Sequence, residues 1–134
     1  MDTSENTKKV VLQFCQSLAN RDLSLIDFFA ENVDWYIQGN EKIAPWLGRR
    51  SKREEVKEFF QILWTNTESI SAQIDHILVE DGFAVITGDF STKMLQTDKV
   101  MKSIFSIHIN VQNNLITKYR LLEDSYAVVI ALTV

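Results

Sequence analysis

The chain has 134 residues, of which 46% are apolar and 24% charged, with four glycines and one proline. That length and balance fit a single folded domain over residues 1–134 and leave too little glycine and proline for a linker. A net charge of −4 and a pI near 5.1 exclude a whole-chain positive field for nucleic acid or anionic membrane, and the lone Cys15 excludes an intrachain disulfide.

The N-terminal MDTSENTKK is polar and lacks the apolar stretch of a signal peptide, so residues 1–6 are expected to be flexible. From residue 7 to residue 20, Val10, Val11, Phe14, Cys15 and Leu18 share one helical face, with Cys15 expected as a buried, inert thiol. A second, shorter helix follows in NRDLSLIDFFAEN, with Asp22 as its N-cap. VDWYI is aromatic and β-branched and predicts a strand ended by Gly39 and Asn40, after which residues 40–50 form a loop carrying Pro45, Trp46 and Gly48.

The stretch GRRSKREEV places Arg49, Arg50, Lys52 and Arg53 around the start of a third helix. Ser51 and Glu54 have capping-box spacing, and Val56, Phe59, Phe60, Leu63 and Trp64 then make one apolar stripe. The glutamates that follow mix the local charge, so the basic residues belong mainly to the helix start and its solvent face rather than to a nucleic-acid site. Beyond Thr65 the sequence is β-rich through AVVI, and Asp81-Gly82 and Asn113-Asn114 mark turns between four strands. Helices first and sequential strands afterwards predict an α+β fold with a mostly antiparallel sheet. No apolar run approaches the ~18 residues that span a bilayer. A cytoplasmic protein is expected.

Trp35 on the first strand, IAPWLGRRSKREEVKEFFQIL leading into the third helix, and LITKYRLLEDSYAVVIAL at the end together resemble the SnoaL-like, ketosteroid-isomerase-related branch of the nuclear transport factor 2-like superfamily. The resemblance implies three N-terminal helices packed on a strongly curved sheet, a cystatin-like roll enclosing a conical pocket. It also implies cofactor-free chemistry on small cyclic molecules and, in several relatives, a homodimer through the outer sheet face.

By position, the isomerase tyrosine of that family corresponds to Phe14, its base aspartate to Ile37 and its second aspartate to Phe105, all apolar here. The epoxide-hydrolase pattern of one Arg and two Asp residues finds only Asp124. The SnoaL-type cyclases use an aspartate near the end of the last strand as general acid/base, and Asp124 matches that position. Strand alternation places Lys118, Arg120, Leu122 and Asp124 on one face and Thr117, Tyr119, Leu121 and Glu123 on the other, and the resemblance implies that the first set faces the pocket.

Trp46 is expected at the pocket mouth, with Trp35, Phe14, Ile37, Phe60, Phe90 and Phe105 as lining. Trp64 is open to either core packing or lining. Asp124 is open to catalysis or to bonding backbone at the strand end. His108 should lie on the outer face, and with His76 as the only other histidine no metal centre is expected. Two functions follow: a cofactor-free isomerase, cyclase or hydratase acting on an apolar cyclic or polyketide-like compound with Asp124 as acid/base, or a non-catalytic ligand-binding or dimeric module.

Overall fold

The structure, a computed structural model, describes residues 3–134. The first helix, α1 (Thr3–Ala19), begins four residues before its expected start at residue 7, so residues 3–6 form its first turn. Residues 1–2 of the segment expected to be flexible lie outside the described residues. The second helix is a single 3₁₀ stretch, Leu23–Phe28, and Asp22 caps it as expected by accepting the Ser24 backbone N–H at 2.9 Å. The chain then turns directly into β1 (Phe29–Ile37), so FAEN joins the strand rather than the helix.

Two elements escape the local patterns. The C-terminal end of the expected loop, residues 48–50, belongs to β2 (Gly48–Lys52), an edge strand paired antiparallel with β1. Its GRRSK sequence carries no strand alternation, and a charged edge strand needs none where only Gly48 is buried. Helix α2 (Arg53–Asn66) therefore has Lys52 rather than Ser51 at its N-cap position. The capping carboxylate is Glu55, not Glu54: its Oε1 accepts from the Ser51 N–H at 3.0 Å, the Ser51 hydroxyl at 3.1 Å and the Lys52 N–H at 3.0 Å.

The basic run is held by the protein itself. Arg50 donates to the Glu55 carbonyl at 2.7 Å, Arg49 stacks 4.1 Å over the Tyr36 ring, and Lys52 bonds Asn32.

The meander follows the expected turns: β3 (Thr67–Glu80), β4 (Phe83–Met94), β5 (Val100–Gln112) and β6 (Leu115–Glu123). Asp81, Asn113 and Asn114 take the positive φ these corners require. The final AVVIAL is not strand but α3 (Ser125–Leu132), which buries Val128, Ala131 and Leu132. A short apolar run does not distinguish the two by period, and the Asp124 cap decides it.

The six strands form one sheet in the order β2-β1-β6-β5-β4-β3. All pairs are antiparallel except β1 with β6, which are parallel. Helices α1 and α2 cover the concave face, and α3 closes its end against β5. Among the described residues no helix is long and apolar enough to cross a membrane.

Curvature is set by bulges in β3 at Ser69/Ser71 and Ile74/His76 and by Gly88 opposite the second. A Cβ at Gly88 would lie 2.0 Å from the Gln73 carbonyl oxygen and 2.8 Å from the Phe105 ring. Only a residue without a side chain lets β3 cross that closely. Gly88→Ala is expected to lower stability by about 2 kcal/mol, measured as a shift of the urea midpoint at unchanged slope.

Candidate functional site

Between the concave face and helices α1 and α2 lies a cavity of about 390 Å³. Its volume suits a small organic ligand. Phe60 and Leu63 enter from α2, Cys15 and Leu18 from α1, and Ile86, Phe90 and Phe105 from the meander. The helical stripe and the strand alternation bring these residues together, since each element presents its apolar face to the same space.

Six expected lining residues are in place: Ile37, Trp46, Phe60, Trp64, Phe90 and Phe105. The two tryptophans exchange roles. Trp46 is 4% exposed and belongs to the inner wall rather than the mouth, whereas Trp64 is half-buried beside the exposed Ser69, Ser71 and Ala72 of β3. The cavity therefore opens along the ends of α1 and α2 and the start of β3.

Trp35 and Phe14 are core, not lining. Trp35 is 1% exposed and stacks on Tyr119 with ring centroids 4.2 Å apart and planes 6° from parallel. Phe59 and Phe60 cover its other sides at 4.8 and 5.8 Å. Phe14 packs edge-on against Phe29 at 5.7 Å and Tyr119 at 5.9 Å.

The face of β6 is the reverse of the expected one. In its pairing with β5, Val111 faces Ile116 while Asn110 faces Lys118, so Thr117 is an extra residue, a bulge. Ile116 points inward, but beyond the bulge the inward residues are Tyr119, Leu121 and Glu123. A one-residue slip exchanges the faces of everything that follows. Lys118 is consequently exposed, and Leu122 is 46% exposed. Arg120 is bound on the outer side to Asp34, through Nη2 to Oδ1 at 2.9 Å and Nη1 to the carbonyl at 2.8 Å.

Asp124 also lies outside the cavity. It is exposed, its Oδ1 accepts the Ala127 N–H at 3.0 Å as the cap of α3, and its own N–H donates to the Ser103 hydroxyl at 2.9 Å. Its partners are those of a helix start, so the strand-end reading describes its position.

The carboxyl that faces the cavity is Glu123. Burial, and then the neighbouring charge of Asp124, push it up to about 7 from an ordinary 4.5. Among the described residues no hydrogen bond holds its charged form. On the same face, burial above all pushes the Tyr119 hydroxyl far above its ordinary value, so it remains a donor at all working pH. Burial pushes the Cys15 thiol up to about 11, so it stays protonated near neutrality. Such a set can exchange a proton with a ligand and donate a hydrogen bond to its oxygen.

His108 is on the outer face, beside the Ser106 hydroxyl at 3.0 Å and the Phe83 ring at 6.1 Å, and His76 is exposed on β3. Among the described residues no three His, Cys, Asp or Glu side chains gather as metal ligands. Glu123, Tyr119 and Arg21, which also borders the cavity, escaped the sequence reading. An acidic residue directly after Leu121 and Leu122 in RLLED was the available signal for Glu123, but the bulge at Thr117 leaves no mark in composition.

Residues 11–119 match the family model of the SnoaL-like domain. None of the curated proteins matches the chain significantly. Among solved structures, an NTF2-like protein from Burkholderia xenovorans LB400 is 17% identical, with 97% of this chain and 98% of that chain covered at a TM-score of 0.86. An inferred isomerase from Rhodopseudomonas palustris is 18% identical over 90% and 93% at a TM-score of 0.80. An inferred SnoaL-like polyketide cyclase from Mesorhizobium loti is 17% identical over 91% and 99% at a TM-score of 0.72. These likenesses show an NTF2-like α+β fold.

The raised Glu123 has a consequence for stability. Below its ordinary 4.5 both folded and unfolded chains hold the proton; between 4.5 and about 7 only the folded chain does, so its contribution to stability falls as pH rises and is flat above. Wild type is expected to lose up to about 3 kcal/mol relative to Glu123→Gln between pH 4.5 and 8, read from urea midpoints of the pair.

Proposed function

The chain belongs to the SnoaL-like domain family, and from that premise we propose that it is a small-molecule enzyme whose general acid/base is Glu123. The carrying observation is one carboxyl poised near neutrality inside an aromatic, apolar cavity. The reaction is a cofactor-free isomerisation, cyclisation or hydration of an apolar cyclic or polyketide-like compound. In its carboxylate form Glu123 takes a proton from carbon next to a ligand carbonyl, and the resulting acid returns that proton to a second carbon or to oxygen. The Tyr119 hydroxyl donates to the oxygen on which charge develops.

Support comes from the family match and from solved neighbours that include an inferred isomerase and an inferred polyketide cyclase. The acid/base role expected of Asp124 moves by one residue, because Glu123 is the member of the pair that faces the cavity. A second reading, ligand binding without turnover, is favoured by the apolar Phe14, Ile37 and Phe105 at the isomerase positions.

Deuterium exchange next to the carbonyl of 1-tetralone, followed by NMR, separates the two. Wild type is expected to accelerate exchange with a rate that rises through a midpoint near pH 7. Glu123→Gln is expected to lower that rate by about 10²-fold or more at little change in affinity. Asp124→Asn should keep most of the rate and lose about 1 kcal/mol of stability or less through the helix cap. Binding of tetralone with no exchange by wild type would favour the second reading.

We infer in addition that the protein pairs with a second copy through the outer sheet face, where Leu78, Ile104 and Leu122 are 62%, 80% and 46% exposed. Light scattering at micromolar concentration is expected to give a dimer for wild type and a monomer for Ile104→Asp.

A further inference from the structure

At the open end of the cavity stands a cation that the acid/base chemistry does not use. Arg21 follows α1 with φ of 49°. Its guanidinium is fixed by three acceptors: the Thr67 carbonyl at 2.8 Å, the Trp64 carbonyl at 3.4 Å and the Thr67 hydroxyl at 3.0 Å. Those bonds engage both Nη1 hydrogens and one on Nη2, so two of the five N–H groups of a guanidinium stay available.

All three acceptors are neutral, so they orient the cation without cancelling its charge. Among the described residues no carboxylate lies within ion-pair distance of Arg21, and Glu68 acts on it only through space. The side chain is half-buried, so water screens that charge only in part. Ser69, Ser71 and Thr92 add hydroxyls to the same part of the lining, while Phe60, Phe90 and Phe105 make the rest apolar.

We propose that Arg21 is an anion subsite, and that the ligand of this cavity is an amphipathic cyclic compound with a carboxylate or similar acidic oxygen group held at Arg21. Its rings lie against Phe60, Phe90 and Phe105. This rests on the reading of the cavity as a ligand site, but not on Glu123 being catalytic.

The test uses two probes of nearly equal shape, 2-naphthoate and the uncharged 2-acetonaphthone, titrated by quenching of tryptophan fluorescence at pH 7.5. Wild type is expected to bind naphthoate at least tenfold more tightly. Arg21→Gln should abolish that preference while leaving acetonaphthone binding within twofold, and Arg21→Lys should retain part of it. Because Arg21 also ties α1 to the end of α2, a second variant protects the test: Ser69→Asp, at an exposed position, leaves every Arg21 bond intact and should weaken naphthoate alone.

Equal binding of the probes by wild type, equal losses for both in Arg21→Gln, no effect of Ser69→Asp, or binding of neither probe overturns the subsite. Glu123→Gln should keep the naphthoate preference. If that variant also keeps full proton exchange, the acid/base reading falls while the subsite stands.

Discussion

The stack of Trp35 on Tyr119 is the contact on which the rest of the molecule depends. The two residues are partners across β1 and β6, the single parallel pair of the sheet, and their rings lie 4.2 Å apart. That pair joins the N-terminal elements to the C-terminal meander, with helix packing and the bonds of Arg21 to Thr67 as further links. Phe14, Phe29, Phe59 and Phe60 surround the stack, so most of the large aromatic surface of the core meets at one seam. Each such aromatic pair contributes roughly 0.5–1.5 kcal/mol beyond its buried area. The stack also fixes the phase of β6. With Tyr119 held inward, Leu121 and Glu123 must follow it, and Asp124 must leave the sheet.

The sequence discloses contacts that depend on short periods. The α2 stripe and the alternation of β4 and β5 place Phe60, Trp64, Phe90 and Phe105 correctly because nothing interrupts those periods between the residues compared. The resemblance puts Lys118, Arg120, Leu122 and Asp124 on the pocket face by matching Asp124 to the cyclase aspartate, whereas the bulge at Thr117 and the inward Tyr119 turn that set outward. A bulge has no compositional signature when its residue is an ordinary strand former. Trp35 and Phe14 show a different limit. Their burial was legible, but whether a buried ring touches a cavity or lies beneath it depends on the neighbouring elements. β2 and α3 show a third, since pairing with β1 and a single capping carboxylate override what GRRSK and AVVIAL suggest alone.

The same geometry gives two adjacent carboxylates opposite tasks. Asp124 meets the backbone N–H of Ala127 at the start of a helix, where a negative charge is favoured and water is near. Glu123 meets apolar side chains and no donor, so its neutral form is the better solvated one. Exchanging the two residue types would still leave the carboxyl at position 123 among apolar side chains and the one at position 124 at the helix start. Chain direction and the Thr117 bulge decide which carboxylate becomes chemically useful, not the residue type. A carboxyl poised in this way also needs a scaffold that does not relax around it. Here that rigidity is supplied by the aromatic seam on one side and by the close crossing of β3 over Gly88 on the other.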